Sequence, residues 1–320
     1  MKTLKRMMVA MLVLLPLATG TAFADTEHGY SRLFVFGASF MDPGNHFAVT
    51  GETAHPPFFP PPYSYDTYGI GGHRPTNGHT WVEILAEEME LTKWAKPAYR
   101  NPVFGNYAFS YARARNMDPL PDPMEPSLYD QVDFWDSNGY CTGDPWNRMD
   151  GTLFIVDSGY RDALDVLMAA DEAQKAAIMQ GWLGSIAANI YALFECGAHN
   201  VLVAYLPDMA GPAVPPEGKP GATAASAMFN YTMLQPIIDV YAGYPFFMNI
   251  SNVDFFAYTT MLKDSPETFG FTNVTDACIT PFVTAGAICE DPDAYFWWDG
   301  LHPTKKVHAL LAEFALGQLP

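Results

Sequence analysis

Residues 33–45 read Leu33-Phe34-Val35-Phe36-Gly37-Ala38-Ser39-Phe40-Met41-Asp42-Pro43-Gly44-Asn45. Four apolar residues stop at a glycine, which predicts a buried strand, Leu33–Phe36, feeding a turn. The same kind of run recurs at Leu153–Val156, at Val201–Leu206 and, more weakly, at Phe246–Ile250. Helical patterns fall between and after these runs. Trp81–Leu91 has Trp81, Ile84, Leu85 and Glu88 along one stripe, and Glu172–Cys196 is a long helix that Gly197 is placed to stop. Ala222–Tyr241 is helical apart from Pro236, and Pro303–Leu316 closes the chain with a proline in its first turn. Strands that alternate with helices predict an α/β fold with a parallel sheet covered on both faces. No internal repeat or domain boundary interrupts the pattern. The proline-dense stretch His55–Tyr65 is expected to be an irregular surface loop.

Composition narrows the function. The chain has 320 residues, 49% hydrophobic and 16% charged, which is enough apolar material for a sizeable core. Its formal charge of −18, from 17 Lys and Arg against 35 Asp and Glu, argues against a surface for nucleic acid or anionic lipid. The N-terminus reads as an address. Lys2, Lys5 and Arg6 precede the apolar run Met7–Ala18, and Ala22-Phe23-Ala24 fits a small-residue cleavage site. An N-terminal anchor is the alternative, but the run is short for a span of about 20 residues. Cleavage after Ala24 removes three cations and no acid, leaving a more acidic chain, Asp25–Pro320, that is exported to the periplasm or beyond the cell. No later stretch reads as a membrane span. Export permits disulfides. Cys278 and Cys289 could staple a loop, whereas Cys141 and Cys196 could pair or Cys196 could simply be buried.

Two places carry the chemistry. Ser39 lies just past the carboxyl end of a parallel strand, where such sheets place their sites, although a serine there could equally cap a helix. Met41 excludes the Gly-x-Ser-x-Gly elbow. Near the other end, Trp297-Trp298-Asp299-Gly300-Leu301-His302-Pro303 sets an aspartate three residues before a histidine. That spacing lets the carboxylate hold Nδ1 of the imidazole and leaves Nε2 as a base; an ordinary Asp-Gly turn is the competing reading. Together the two ends supply a nucleophile, a base and an orienting acid. His46, His55, His73 and His79 lack metal-ligand spacing and read as surface or loop polarity. Glu290, Asp291 and Asp293 read as a solvated face. Asp42 and Asn45 are expected to shape the first loop. Asn230, Asn249 and Asn273 each begin a glycosylation-acceptor triplet.

FVFGASFMDPGN resembles the first block of the GDSL-type (SGNH) hydrolases, and WWDGLHPT resembles their last. His73–Glu83, Asn106–Arg115 and Arg161–Leu164 resemble intermediate segments. The resemblance implies a flavodoxin-like three-layer α/β/α sandwich and serine hydrolysis of carboxylic esters, from short acyl esters to lipids and acetylated sugars. It implies Ser39 as nucleophile, His302 as general base and acid, Asp299 as its partner, and no metal or organic cofactor. Three departures stand out. Ala38 replaces the Asp of Gly-Asp-Ser. Ser110-Tyr111 replaces a Gly-Gly whose second residue donates to the oxyanion. The family's Gly-x-Asn-Asp is missing, with Ser158 or Arg161 as substitute donors; Arg161 could instead bind an anionic substrate group. Loss of one oxyanion donor costs roughly 10²–10³ in rate. A non-catalytic glycan- or lipid-binding member of the family, and a carbohydrate deacetylase or lipid acyltransferase with the same triad, are therefore the alternatives to a simple esterase.

Overall fold

The computed structural model describes residues 28–51, 73–116, 125–243, 248–279 and 288–320. The N-terminal address and the loop His55–Tyr65 lie outside these residues. In chain order the elements are β1 (Arg32–Phe36), α1 (Asn45–Thr50), α2 (Trp81–Glu88), α3 (Leu128–Ser137), β2 (Thr152–Asp157), α4 (Tyr160–Met168), α5 (Glu172–Glu195) and β3 (Asn200–Ala204). There follow α6 (Lys219–Met228), α7 (Gln235–Ala242), β4 (Asn249–Val253), α8 (Phe255–Asp264), β5 (Asn273–Ala277), β6 (Tyr295–Trp297) and α9 (Lys305–Leu316).

Strands β1 to β4 form one parallel sheet in that order. Residues 105–109 continue it past β1. Val35 N–H donates to Gly105 O at 3.0 Å, Tyr107 N–H to Val35 O at 2.8 Å and Phe109 N–H to Gly37 O at 2.9 Å. Successive side chains alternate between the faces, as a strand's period of two requires. Phe34, Phe36, Phe154, Val156, Val201 and Val203 join one core, with Trp135 of α3, Trp182 and Ile186 of α5, and Ile238 of α7. Leu33, Val35, Leu153, Ile155, Leu202 and Ala204 join the other, with Trp81 of α2, Leu262 of α8 and Leu311 of α9. The result is the expected three-layer α/β/α sandwich. β5 and β6 form a small separate parallel pair.

Several boundaries differ from those read in the sequence. α2 stops at Glu88 because Glu90 turns into the left-handed region, φ 59°, and Leu91 N–H reaches back to Ala86 O. Its buried stripe is Trp81, Val82, Leu85, Ala86 and Met89, with Glu88 exposed. Pro303 precedes α9 and pairs with Trp297, so the helix starts at Lys305 with Thr304 at its N-cap position. β4 begins at Asn249, where its register with β3 starts. The stretch around Pro236 is helical throughout, because a π-helical turn, Phe229–Leu234, carries the chain from α6 into α7. That turn brings Asn230 inward. Its side-chain amide donates to Leu206 O at 2.9 Å and its carbonyl accepts Leu206 N–H at 3.1 Å, fixing the exit from β3. Asn230 is thus a buried clamp and not an accessible glycosylation acceptor in the folded chain.

Both disulfides form, Cys141–Cys196 and Cys278–Cys289. α5 corrects the expectation that no later stretch could span a membrane, since by length and mean hydropathy it could. Trp182, Ile186, Ile190 and Leu193 pack one of its faces into the core instead.

Candidate active site

The site begins where β1 ends. A side chain at residue 37 would put its Cβ 2.6 Å from Asp157 Cβ, so the strand can pass β2 here only as glycine. Gln131 of α3 clamps that glycine: its carbonyl accepts Gly37 N–H at 2.8 Å and its amide donates to Gly37 O at 3.0 Å. Ala38 N–H donates to Asp157 Oδ2 at 3.2 Å. The turn therefore takes its carboxylate from the end of β2, in place of the side chain that Ala38 lacks. Burial pushes the Asp157 carboxyl up to about 6, against the N–H groups of Gly159, Ala38 and Ser158, which favour its ionised form. Ser39 follows at the carboxyl edge of the sheet and is buried.

Asp42 ties this turn to the second block. Its Oδ1 accepts from Gly44 N–H at 2.8 Å and Asn45 N–H at 2.6 Å. Its Oδ2 accepts from Ser110 N–H at 2.8 Å, Ser110 Oγ at 2.7 Å and His46 N–H at 3.3 Å. Asn45 donates to the carbonyls of Asn106 and Ala108, and Asn106 donates back to Met41 O. Asp42 and Asn45 thus shape the first loop, as expected, and reach beyond it. The next residue, Tyr111, has φ 70°, the conformation that a glycine adopts freely and a tyrosine at some cost. His46 is buried edge-on to Phe109 and Tyr111, which corrects its reading as surface polarity.

The C-terminal half of the site is built locally. Asp299 Oδ1 accepts the N–H groups of Leu301 and His302, both at 2.7 Å, and Oδ2 lies 2.8 Å from His302 Nδ1. Asp299 and His302 are both buried. An ionised carboxylate only accepts, so Nδ1 carries the proton. Segment 73–83 grips this loop from outside. Thr76 Oγ1 donates to Pro303 O at 2.7 Å, Lys305 N–H donates to Asn77 Oδ1 at 2.6 Å, and Arg74 pairs with Glu83 through two bonds of 2.7 and 2.6 Å. Trp81 N–H donates to Nδ1 of the buried His308 at 3.2 Å, so that ring is neutral.

Burial, with the nearby His302, holds His308 down at about 3 against an ordinary 6.5. Between those values the unfolded chain binds a proton that the folded chain refuses. His308 therefore lowers stability as pH falls through that window. Asp157, raised from 3.8, acts in the opposite sense over a narrower one. Replacing His308 by glutamine, which keeps an acceptor for Trp81 N–H, is expected to flatten the loss of stability between pH 6.5 and pH 4. Urea midpoints at both pH values check this; an unchanged acid loss would refute it.

Ser39 and His302 line one pocket with Ala38, Tyr111, Tyr160, Arg161, Leu164 and Leu301. Ser39 and the imidazole of His302 thus face the same pocket. Ser158 is elsewhere: it is buried outside the lining, its N–H donates to Ala204 O and its carbonyl accepts from Trp182 Nε1. Arg161 is in the lining. Gly159-Tyr160-Arg161-Asp162 keeps the spacing of Gly-x-Asn-Asp, with arginine at the asparagine position. A register that starts from Gly159 would have shown this in the sequence. Asp157, Gln131, Thr76, Asn77 and His308 were not singled out there. Among the described residues no group of three or more metal-ligating side chains converges.

A parallel three-layer fold with these residues at its carboxyl edge belongs to a known class of acyl hydrolases. The chain is a member of the GDSL-like lipase/acylhydrolase family, whose model matches residues 33–315. It is 22% identical to GDSL esterase/lipase 6 of Arabidopsis thaliana, over 95% of this chain and 91% of that one. It is 21% identical to GDSL esterase/lipase 5 of the same plant, over 88% and 81%. The family is one of acyl ester hydrolases.

Proposed function

We propose that the chain cleaves carboxylic esters through an acyl-enzyme on Ser39. His302 Nε2 takes the Ser39 proton as Oγ bonds to the ester carbonyl carbon. The same proton then passes to the leaving alcohol oxygen as the C–O bond breaks. Water repeats the sequence in reverse: His302 takes its proton, the hydroxide bonds to the acyl carbon, and Ser39 Oγ leaves with the proton returned. Asp299 keeps Nδ1 protonated and stabilises the imidazolium that forms. The N–H groups of Ser39 and Tyr111 serve the oxyanion, a role for which Tyr111 holds the glycine-like conformation. The observation that carries this reading is the Ser39 pocket's second wall, an imidazole whose far nitrogen is held by a buried carboxylate. Membership of the family supports a small-molecule ester as substrate. The basic and apolar stretch before Asp25 supports export of the mature chain.

The test uses Asp25–Pro320, with its N-terminus read on exported material, and aryl esters of increasing acyl length. Turnover is expected, and Ser39→Ala is expected to lower kcat by at least about 10³-fold with an unchanged unfolding midpoint. A folded wild-type protein that turns over no ester would leave a binding protein on the same fold. Turnover undiminished in Ser39→Ala would remove Ser39 as the nucleophile.

A further inference from the structure

The pocket that holds Ser39 and His302 also holds a cation. Arg161 sits in the first turn of α4, within a cluster of three guanidiniums and three carboxylates whose hydrogen bonds are unevenly shared. Arg113 takes both oxygens of Asp165, through Nε at 2.7 Å and a terminal nitrogen at 3.2 Å, and also reaches Glu125 at 3.2 Å. Arg115 takes Asp162 through Nε at 2.7 Å and adds a second bond to Asp165. The other oxygen of Asp162 accepts Ala114 N–H at 2.6 Å. Little acceptor capacity remains for Arg161, whose Nε stops 3.8 Å from Asp165 Oδ1. That nitrogen is buried and has no hydrogen-bond partner among the described residues.

Charge within the cluster balances, so it exerts no large net pull on an anion. What it presents is a planar guanidinium beside the serine whose carboxylate neighbour, Asp165, stays 3.8 Å from Nε. A guanidinium fork matches two oxygens of a carboxylate or phosphate better than it matches a single carbonyl oxygen. We propose that Arg161 recognises an anionic oxygen group, carboxylate or phosphate, that the ester substrate carries near its scissile carbonyl. This rests on the reading of the pocket as the ester-cleaving site and names the substrate class it selects. An anion on the substrate pairs with the fork before and during reaction, so its signature lies in KM and in selectivity. An oxyanion contact would instead appear in kcat for every ester alike.

Two matched pairs of esters test this: a naphthyl hemisuccinate against a naphthyl butyrate, and an acylated glycerol phosphate against the same acylated glycerol. In the wild type, kcat/KM is expected to favour the charged member of at least one pair by about tenfold, mainly through KM. The pair that shows the preference identifies the anion. Arg161→Gln is expected to bring the ratio to about one, and Arg161→Lys to retain part of it. A wild-type ratio of one or less in both pairs overturns the proposal. So does an Arg161→Gln variant that slows charged and neutral esters by the same factor. Calorimetry on Ser39→Ala separates this from the hydrolase reading. The charged member of each pair is expected to bind about tenfold tighter than the neutral one in at least one pair, with the difference lost on adding Arg161→Gln. That difference without any wild-type turnover would sink the hydrolase reading and keep the anion site; turnover without the difference would do the reverse.

Discussion

Asp299→Asn is expected to lower kcat by about 10³–10⁴-fold while leaving the unfolding midpoint within about 1 kcal/mol of the wild type. The two oxygens of Asp299 do different work. Oδ1 accepts two backbone N–H groups of its own loop, and an asparagine carbonyl accepts them equally well. Oδ2 faces His302 Nδ1, and there an asparagine presents N–H donors. The imidazole must then offer Nδ1 as an acceptor and carry its proton on Nε2. A ring in that tautomer cannot take the Ser39 proton. The loop survives and the base is lost. Steady-state kinetics beside a denaturant titration read both halves; a kcat within tenfold of the wild type would show that Asp299 does not set the tautomer.

How much of this was legible beforehand follows the distance over which each feature is fixed. β1 and the turn after it are encoded by adjacent residues, an apolar run closed by glycine. The Asp299–His302 pair is closed by bonds spanning two and three positions, and spacing alone reveals such a contact. α5 and its stop at Gly197, with φ 90°, were equally local. The supports of Ser39 were not. Asp157 is 119 positions from Ala38, and Gln131 is 94 from Gly37, so only the folded sheet shows that they meet. α3 did carry a local signal, a capping box in which Ser127 and Asp130 hold each other's N–H groups, but its polar face masked the helical period. Residues 105–109 lack a strand's alternating pattern because their place at the sheet edge is set by bonds to β1. The π turn before Pro236 has a similar origin. A missing N–H predicts a break, whereas the chain instead widens by one residue and uses the inward Asn230 to brace the end of β3. The departures from the family motif also read differently in three dimensions. Asp157 serves the turn that Ala38 cannot, and Tyr111 keeps a glycine's backbone angle.

That retained angle makes Asp42 the residue on which the two halves of the serine side depend. Asp42→Asn is expected to destabilise the fold by about 3 kcal/mol and to lower ester turnover more than ten-fold at temperatures where the variant is still folded. The carboxylate is almost fully buried and accepts five donors on two oxygens. An asparagine supplies one accepting oxygen. If that oxygen keeps Gly44 and Asn45, the new amide meets the N–H groups of Ser110 and His46 donor to donor, and the Ser110 hydroxyl must turn to accept from it. Rotation of the side chain exchanges the conflict without removing it, since the N–H groups of Gly44 and Asn45 then face the amide. Each buried donor left without an acceptor costs about 1–3 kcal/mol, and relaxation offsets part of that. The cheapest relaxation moves Ser110, and with it the next residue, Tyr111, whose backbone sits at φ 70°. If the Tyr111 N–H serves the oxyanion as proposed, turnover should therefore fall through kcat, with KM changing less. Unfolding midpoints and steady-state kinetics on the same preparation separate the two effects. A midpoint within about 1 kcal/mol of the wild type would show that the five contacts are not jointly required. A folded variant with unchanged kcat would show that Tyr111 keeps its place without Asp42.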